Sequence, residues 1–575
     1  MLAEGSILAA TFFVGTNGDD AQPGSSDRPW RTIAKGAQSA QPGDTIVVRE
    51  GSYPERILSV RGGRGENSRI TFRAEGHVVM RGFRVNHPFI TIDGFDITGH
   101  SALSTIDSHV RVDRNGEAFQ MFNCTVRDAL QLVRDDFRFE SQGSRIVTET
   151  GGLLAAGLAP GIFINLDPAT NRASLTSTNT RTLLVSEVTD TSLTVTNVLN
   201  DQPPQRLYLT AASIYGLSFD SATRRAVVRD CRFSNLGLDA LFVIGTNHVI
   251  EGNVIERMNG WNAMHFGGKG HLFRHNVIRD SPAIAHSPSP DAFDNFAPAA
   301  YDRVVFKQNL VQGFQGVIAA QKGAGTSSNL LFLRNVFVDA GWLTLTHPAT
   351  RIENNTFLRC AKVASTVVAL ASHPVSLRIA DDEAPGADNA RHTVIRNNAF
   401  IDCGQATGSI RPPQTGWYEV RGPANTLVAE GNFVSGGAPD FAPKEGWPEN
   451  PDLNGGNPLL TNIDDVLGPD GIPFTPDDGL RPSEASRLVG AGVGARSIGA
   501  YNVSPPVLPR IHPHRNPDGS VVFSWPETHW DWTLEIAPTP SGPWRGYPAW
   551  PETIDGHVIV TVDAADANSF FRLAE

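Results

Sequence analysis

Asn253-Val254-Ile255, Asn276-Val277-Ile278, Asn309-Leu310-Val311, Asn335-Val336-Phe337, Asn355-Thr356-Phe357, Asn398-Ala399-Phe400 and Asn432-Phe433-Val434 are seven versions of one phrase, asparagine followed by a short apolar run. The first five recur at intervals of 23, 33, 26 and 20 residues, the self-similarity of a stacked repeat. One unit of this kind cannot bury its own apolar side. Stacking units at the inter-strand spacing of roughly 4.8 Å buries a continuous core. Asparagine suits the turn because it tolerates left-handed backbone and its amide can bond the same residue one coil above and below. The spacing predicts a parallel β-helix over about 40–500, with the Asn253, Asn276, Asn309 and Asn335 side chains in one internal column.

Helical solenoids need long stretches with a 3.6-residue period, whereas these repeats are Val, Ile, Phe, Asn and Gly in a chain with only 19% charged residues. No apolar run is long enough to span a membrane. The net charge of −12 comes without a basic block, which argues against a nucleic-acid partner. Met1 to Phe13 has an apolar stretch but no basic n-region, as in a secreted chain whose signal peptide is absent or trimmed. Of the four cysteines, Cys124 and Cys231 stand where later coils put the ladder Asn, and Cys360 and Cys403 each follow a ladder Asn by five residues. Side chains stacked about 4.8 Å apart are too distant for the roughly 3.8 Å between Cβ atoms of a disulfide, so buried thiols are expected.

At the N-terminus, Phe13-Val14-Gly15-Thr16-Asn17-Gly18-Asp19-Asp20, Arg28-Pro29-Trp30-Arg31-Thr32-Ile33, Gln41-Pro42-Gly43-Asp44-Thr45-Ile46 and Glu50-Gly51-Ser52-Tyr53 read as strand, short helix, strand. Pro29 is expected to start the helix, with Ile33, Ala34 and Ala37 as its apolar stripe. This segment resembles the opening of secreted, pectate-lyase-like right-handed β-helix proteins, in which such a helix closes the open solenoid end. Asn457-Pro458-Leu459-Leu460, Gly468-Pro469-Asp470-Gly471 through Pro482, and Ile498-Gly499-Ala500-Tyr501 resemble the same family's closing segment. The fold class is therefore all-β: a right-handed parallel β-helix with a helical cap and added modules.

Four segments are expected. Cap and first coils occupy 1–134. The repeat stops from about Asp135 to Ala212, where Thr and Ser alternate with apolar residues, so 135–212 reads as a small inserted β module. It returns at Val227-Val228-Arg229-Asp230-Cys231, and 213–503 is the main solenoid and closing segment. From 504 to 575 short strands and five of the ten tryptophans form a β-sandwich-like module. That module resembles C-terminal domains of secreted bacterial hydrolases and adhesins, which implies attachment to a cell surface or matrix.

Five stretches after the ladder turns align: Asp239-Ala240-Leu241-Phe242-Val243, Asn262-Ala263-Met264-His265-Phe266, Asp291-Ala292-Phe293-Asp294-Asn295, Gln315-Gly316-Val317-Ile318-Ala319 and Gly341-Trp342-Leu343-Thr344-Leu345. The third and fifth positions alternate as an inward face, leaving Phe242, His265, Asp294, Ile318 and Thr344 in an outward column. Asp239, Asn262 and Asp291 form a second polar column, with the loop holding His286 as a groove wall and no Arg on the inferred face. A lone Asp column is usually a solvated face; two columns turning acidic or imidazole on the same three coils suggest a site.

Two chemistries fit these residues. Asp239, Asn262 and Asp291 as oxygen ligands for Ca²⁺, with His265, Lys322 or Lys269 removing a proton, give β-elimination on a uronate polysaccharide. Such elimination is also the common chemistry of the family the chain resembles. Two of Asp239, Asp291 and Asp294 acting as acid and base give glycoside hydrolysis. A non-catalytic adhesin is the third class. Asp465, Asp470, Asp477 and Asp478 offer a second Ca²⁺ loop or, more plainly, a solvated Asp-Gly turn. No organic cofactor is implied.

Overall fold

The computed structural model describes residues 9–99, 107–128, 131–156, 158–168, 183–211, 214–236, 239–258, 262–279, 291–296, 300–314, 317–322, 327–341, 343–345, 347–360, 377–379, 391–403, 418–420, 428–435, 455–503, 508–564 and 569–575. Each coil contributes short strands to three parallel sheets. In one coil, Val249–Glu251 lies on the second sheet, Val254–Glu256 on the third and Met264–Phe266 on the first; the next coil repeats this with Leu272–Arg274, Val277–Arg279 and Asp291–Phe296. The strands pair in parallel from coil to coil, which makes the chain a parallel β-helix, right-handed as crossovers between parallel strands nearly always are. Phe273, Phe306 and Phe332 stack inside it at 4.7 and 4.9 Å.

The asparagine column holds for all seven repeats. The Asn253 amide donates to Asn276 Oδ1 at 3.0 Å, and the chain of donations continues through Asn309, Asn335, Asn355 and Asn398 to Asn432. Each Oδ1 also accepts the preceding ladder residue's backbone N–H, as Asn309 does from Asn276 at 3.1 Å. A buried amide is thereby satisfied on both sides. The left-handed residue is not the ladder Asn but the one before it: Gly252, His275, Gln308, Arg334, Asn354, Asn397 and Gly431 all have positive φ. The corner bends at that residue, which frees the asparagine to point inward.

A second inner column stands at a corner built the same way, with left-handed Asn247 (φ 56°) and Gly270 (φ 70°) just before His248 and His271. His248 and His271 stack at 5.0 Å and 7° under Phe219. His271 Nδ1 accepts the His248 backbone N–H, and its Nε2 donates to the Gly267 carbonyl at 2.7 Å, so the ring is held neutral. Burial pushes His271 down to about 4 and His248 well below its ordinary value.

The cap helix spans Ile33–Ser39 and starts after Thr32, whose hydroxyl accepts the Lys35 N–H at 3.1 Å. Pro29 is not its first residue, because Trp30 first forms a bridge to Val14. Cys124, Cys231, Cys360 and Cys403 are buried thiols.

Between the third-sheet strand Thr125–Arg127 and the first-sheet strand Ile214–Phe219, six antiparallel strands from Gln131 to Ala211 close into a barrel around Phe137, Ile146, Ile164, Leu193 and Leu209. Closure leaves the insert without free edges. The solenoid resumes directly beneath: Ile214–Phe219 pairs with Asp107–Val112, and Arg232 pairs with Thr125, so Cys124 and Cys231 are ladder neighbours.

After the solenoid, a four-stranded sheet (His512–Arg515, Val521–Pro526, His557–Val562, Glu552–Ile554) and a three-stranded sheet (Arg545–Gly546, Thr533–Ala537, Phe570–Ala574) form the C-terminal module around Trp525. It sits on the outer face of the second sheet, where Trp530 and Trp550 pack on Leu272, Val305, Leu331 and Leu333. Arg274 pairs with Glu535, and Arg334 with Asp531. Lys307 donates to the Asp531 carbonyl and to Thr533 Oγ1, both at 2.7 Å. The first sheet is left to the candidate site.

Candidate functional site on the first sheet

The first sheet's register sets the outward column as Arg84, Arg111, Ser218, Phe242, His265 and Asp294, and the backbones of Ala320, Thr344, Arg378 and Glu419 continue the same register. Ile318 is not in it: Asp294 pairs with Ala320, because the strand begins two residues later, at Val317. Before the five strands aligned from sequence, the column continues to Arg84 and Arg111, which are held by Asp113 at 2.7 and 2.9 Å.

Four of the expected residues meet. Asn262 joins the two carboxylates: its backbone N–H donates to Asp239 Oδ1 at 3.1 Å, and its side-chain amide donates to Asp294 Oδ2 at 3.2 Å. His265 Nδ1 lies 3.4 Å from the same Asp294 oxygen. The other side of the imidazole is covered by Phe242, stacked at 4.5 Å and 15°. The imidazole thus sits between an aromatic face and a carboxylate, an arrangement that favours the tautomer with Nδ1–H toward Asp294 and the lone pair on Nε2.

The sequence suggested an exposed column, but these groups are buried: Asp239 and Asn262 are 4% exposed, and His265 and Asp294 7%. Burial raises the Asp239 carboxyl to about 7; Asp294 adds to the rise, while His265 and the Asn262 hydrogen bonds oppose it. Asp239 therefore exchanges its proton near neutrality. Asp294 Oδ1 is buried with no hydrogen-bond partner among the described residues, an acceptor available to an incoming donor.

Sequence reasoning missed Tyr215. It precedes Leu217 by two residues, as Asp239 precedes Leu241, and Leu217 pairs with Leu241. That parity was legible, but the strand lies next to the insert, where no ladder residue announces it. The Tyr215 ring lies 5.0 Å from that of Phe242. Burial and then the Asp239 charge push its hydroxyl upward, so the phenol keeps its proton.

The remaining expected groups fall elsewhere. Lys269 faces Asp302 at 3.6 Å beside the second sheet. Asp291 and Lys322 lie on adjacent first-sheet strands, where their backbones pair with Val317 and Phe296. His286 lies outside the described residues.

No three His, Cys, Asp or Glu side chains among the described residues converge as a metal site. In the closing loop the carboxylates act as turn caps: Asp470 accepts from the Ile472 N–H, Asp477 from the Asp470 N–H and Thr475, and Asp478 from the Phe474 N–H and Tyr501 hydroxyl. Asp465 contributes its backbone to the same turn, its N–H donating to the Asn462 carbonyl at 3.3 Å.

Comparison with known proteins adds a local sequence match and broad likenesses of chain path. The family described as "Protein of unknown function (DUF1565)" matches residues 16–58, the capping segment. Uncharacterized protein YwoF of Bacillus subtilis (strain 168) is 38% identical over 61 residues, which is 11% of this chain and 13% of that protein. Among solved structures, pectate lyase Pel9A is 12% identical, covering 86% of this chain and 97% of its own at a TM-score of 0.43. XylC in complex with xylose is 11% identical, covering 98% and 95% at 0.40. A mannuronic acid specific polysaccharide family 6 lyase from human gut microbiota is 12% identical, covering 74% and 81% at 0.38.

Proposed function

We propose that the protein is a secreted, carbohydrate-active enzyme that cleaves a uronate-containing polysaccharide by β-elimination on its first sheet. The observation that supports this most is the His265–Asp294 contact beside Asp239, an oriented base next to a carboxyl that is protonated in part of the molecules at neutral pH. In this reading, neutral Asp239 donates a hydrogen bond to the uronate carboxylate and so acidifies the adjacent C5–H. His265 Nε2 takes that proton. The C4–O bond breaks as the C4–C5 double bond forms, and Tyr215 protonates the departing oxygen. Asp294 stabilises the imidazolium formed at His265.

Hydrolysis is the second reading, favoured by the different settings of Asp239 and Asp294. Both carboxyls bond to Asn262, one through its backbone N–H and the other through its side-chain amide, so an acid and a base would face one another across that residue. Incubation with acidic and neutral polysaccharides, reading ultraviolet absorbance and reducing ends together, tests both. Absorbance with new ends supports elimination; new ends alone support hydrolysis. Neither signal would leave a binding protein attached through its C-terminal module. Loss of activity in chelator, restored by Ca²⁺ in a variant lacking the Asp470 and Asp478 carboxylates as in wild type, would support a metal site of Asp239, Asn262 and Asp291.

A further inference from the structure

A cleft of about 820 Å³ opens on the ladder corner, away from the first sheet, between the third-sheet strands and the closing segment. Its floor is Val254 and Val277, and its far wall is the Asp-rich closing loop. Asp478, wholly buried, accepts the Phe474 N–H at 2.5 Å and the Tyr501 hydroxyl at 2.8 Å, fixing two aromatic residues from one carboxylate.

Phe474 is held at φ 66°, a left-handed conformation that is an outlier for a bulky side chain. Its ring lies 5.8 Å from Tyr501 at 28°, and 6.2 Å from His275 at 30°. Strain concentrated at an aromatic residue lining a cavity points to a ligand surface. Arg481 lines the same cleft. Its guanidinium lies 5.9 Å from the Tyr501 ring and donates to the Asn502 carbonyl, and among the described residues it has no carboxylate partner. Of the other charged groups along the cleft, Arg334 pairs with Glu575, Asp230 with Arg229, and Arg279 with Glu256, which it shares with Arg232 and Arg257.

We propose that this cleft is a second, non-catalytic saccharide site that binds an anionic sugar unit, its ring on Phe474 and its carboxylate on Arg481. The volume is that of an ordinary small-ligand pocket. A planar guanidinium matches a carboxylate with two parallel hydrogen bonds, and an aromatic wall supplies apolar contact for a sugar's C–H face. The choice of an acidic sugar rests on the uronate reading of the first sheet; the binding does not need turnover there. A polymer held at this corner would be kept near the solenoid while its chain is presented to the catalytic face.

The test is retardation in native gels containing polygalacturonate or alginate, with dextran as the neutral control. The wild-type protein should be retarded by at least one acidic polymer and not by dextran. Arg481→Gln and Phe474→Ala should each weaken the effect about tenfold, while His265→Gln, on the first sheet, should be retarded like wild type. Circular dichroism of each variant separates lost binding from lost fold. Unchanged retardation in Arg481→Gln, or none for wild type in either acidic gel, would overturn the proposal. A protein that shows no turnover yet is retarded through Arg481 would keep this site and lose the enzymatic reading, so the two fail separately.

Discussion

His265 Nδ1 stands 3.4 Å from Asp294 Oδ2, with His265 and Asp294 paired in register on successive coils of the first sheet. Two residues separated by 29 positions in sequence thus become neighbours through one turn of the solenoid. Asn262 and Asp239 complete the group through hydrogen bonds of 3.2 and 3.1 Å.

Replacing that histidine tests the pair. His265→Gln should lower kcat by at least about 100-fold, the scale of losing a general base, with KM changed little. Asp294→Asn should cut kcat less if Asp294 orients and stabilises the imidazolium without itself taking the proton. Steady-state kinetics on the polymer identified by the panel checks both. Full activity in His265→Gln would remove it as the base.

The ladder offers a stability prediction without reference to activity. Asn309→Ala removes the acceptor of the Asn276 N–H and amide, and the donor to the Phe273 carbonyl and Asn335 Oδ1. Leaving buried groups unpaired costs about 1–3 kcal/mol each, so a loss of about 3 kcal/mol or more is expected in denaturant melts. Asn432→Ala should cost less, because that residue is 9% exposed whereas Asn309 is fully buried.

Acid should unfold the protein through histidines whose surroundings disfavour the imidazolium. Folded His271 binds its proton with a value near 4, weaker than the ordinary 6.5, and His275 is likewise pushed down to about 4 by burial. Unfolding therefore takes up protons. Their stabilisation is full above about pH 6.5 and is lost as pH falls through about 4. Melting temperatures measured from pH 7.5 to 4 should fall, and less steeply in His271→Asn than in wild type.

Docking of the C-terminal module depends on Asp531, which is held down to about 2 by Arg334, Arg496 and Lys307 against the cost of its burial. Asp531→Asn leaves those cations without their main counter-charge. Breaking one partner of a buried ion pair costs about 3–5 kcal/mol, so protease sensitivity between the solenoid and the module should rise. Replacing the network by apolar residues of similar volume should not have that effect.

Deleting 131–211 and joining the ends with a short Gly-Ser bridge should leave a folded solenoid. Ile214–Phe219 already lies beside Asp107–Val112, so closing the loop adds little entropy cost. A cooperative thermal transition checks this; aggregation without one would show that the barrel supports the coils.

The sequence by itself determined the solenoid. Its seven Asn-apolar phrases imply a stack because a repeated short strand has no other way to bury its apolar side, and the amide ladder follows from the shared offset. It also brought Asp239, Asn262, His265 and Asp294 to adjacent coils, since strand register is a matter of counting from the ladder. Tertiary structure decided what counting could not reach. Ala320 replaces Ile318 because a loop of different length shifted where its strand begins. Tyr215 joins the site because the barrel insert separates its strand from the coil it pairs with. The Asp470, Asp477 and Asp478 carboxylates cap backbone N–H groups of their own loop, Asp478 also holding the Tyr501 hydroxyl, and burial moves Asp239 to about 7. Burial and hydrogen-bond partners are set by the neighbours folding supplies, and those neighbours come from coils tens to hundreds of residues away.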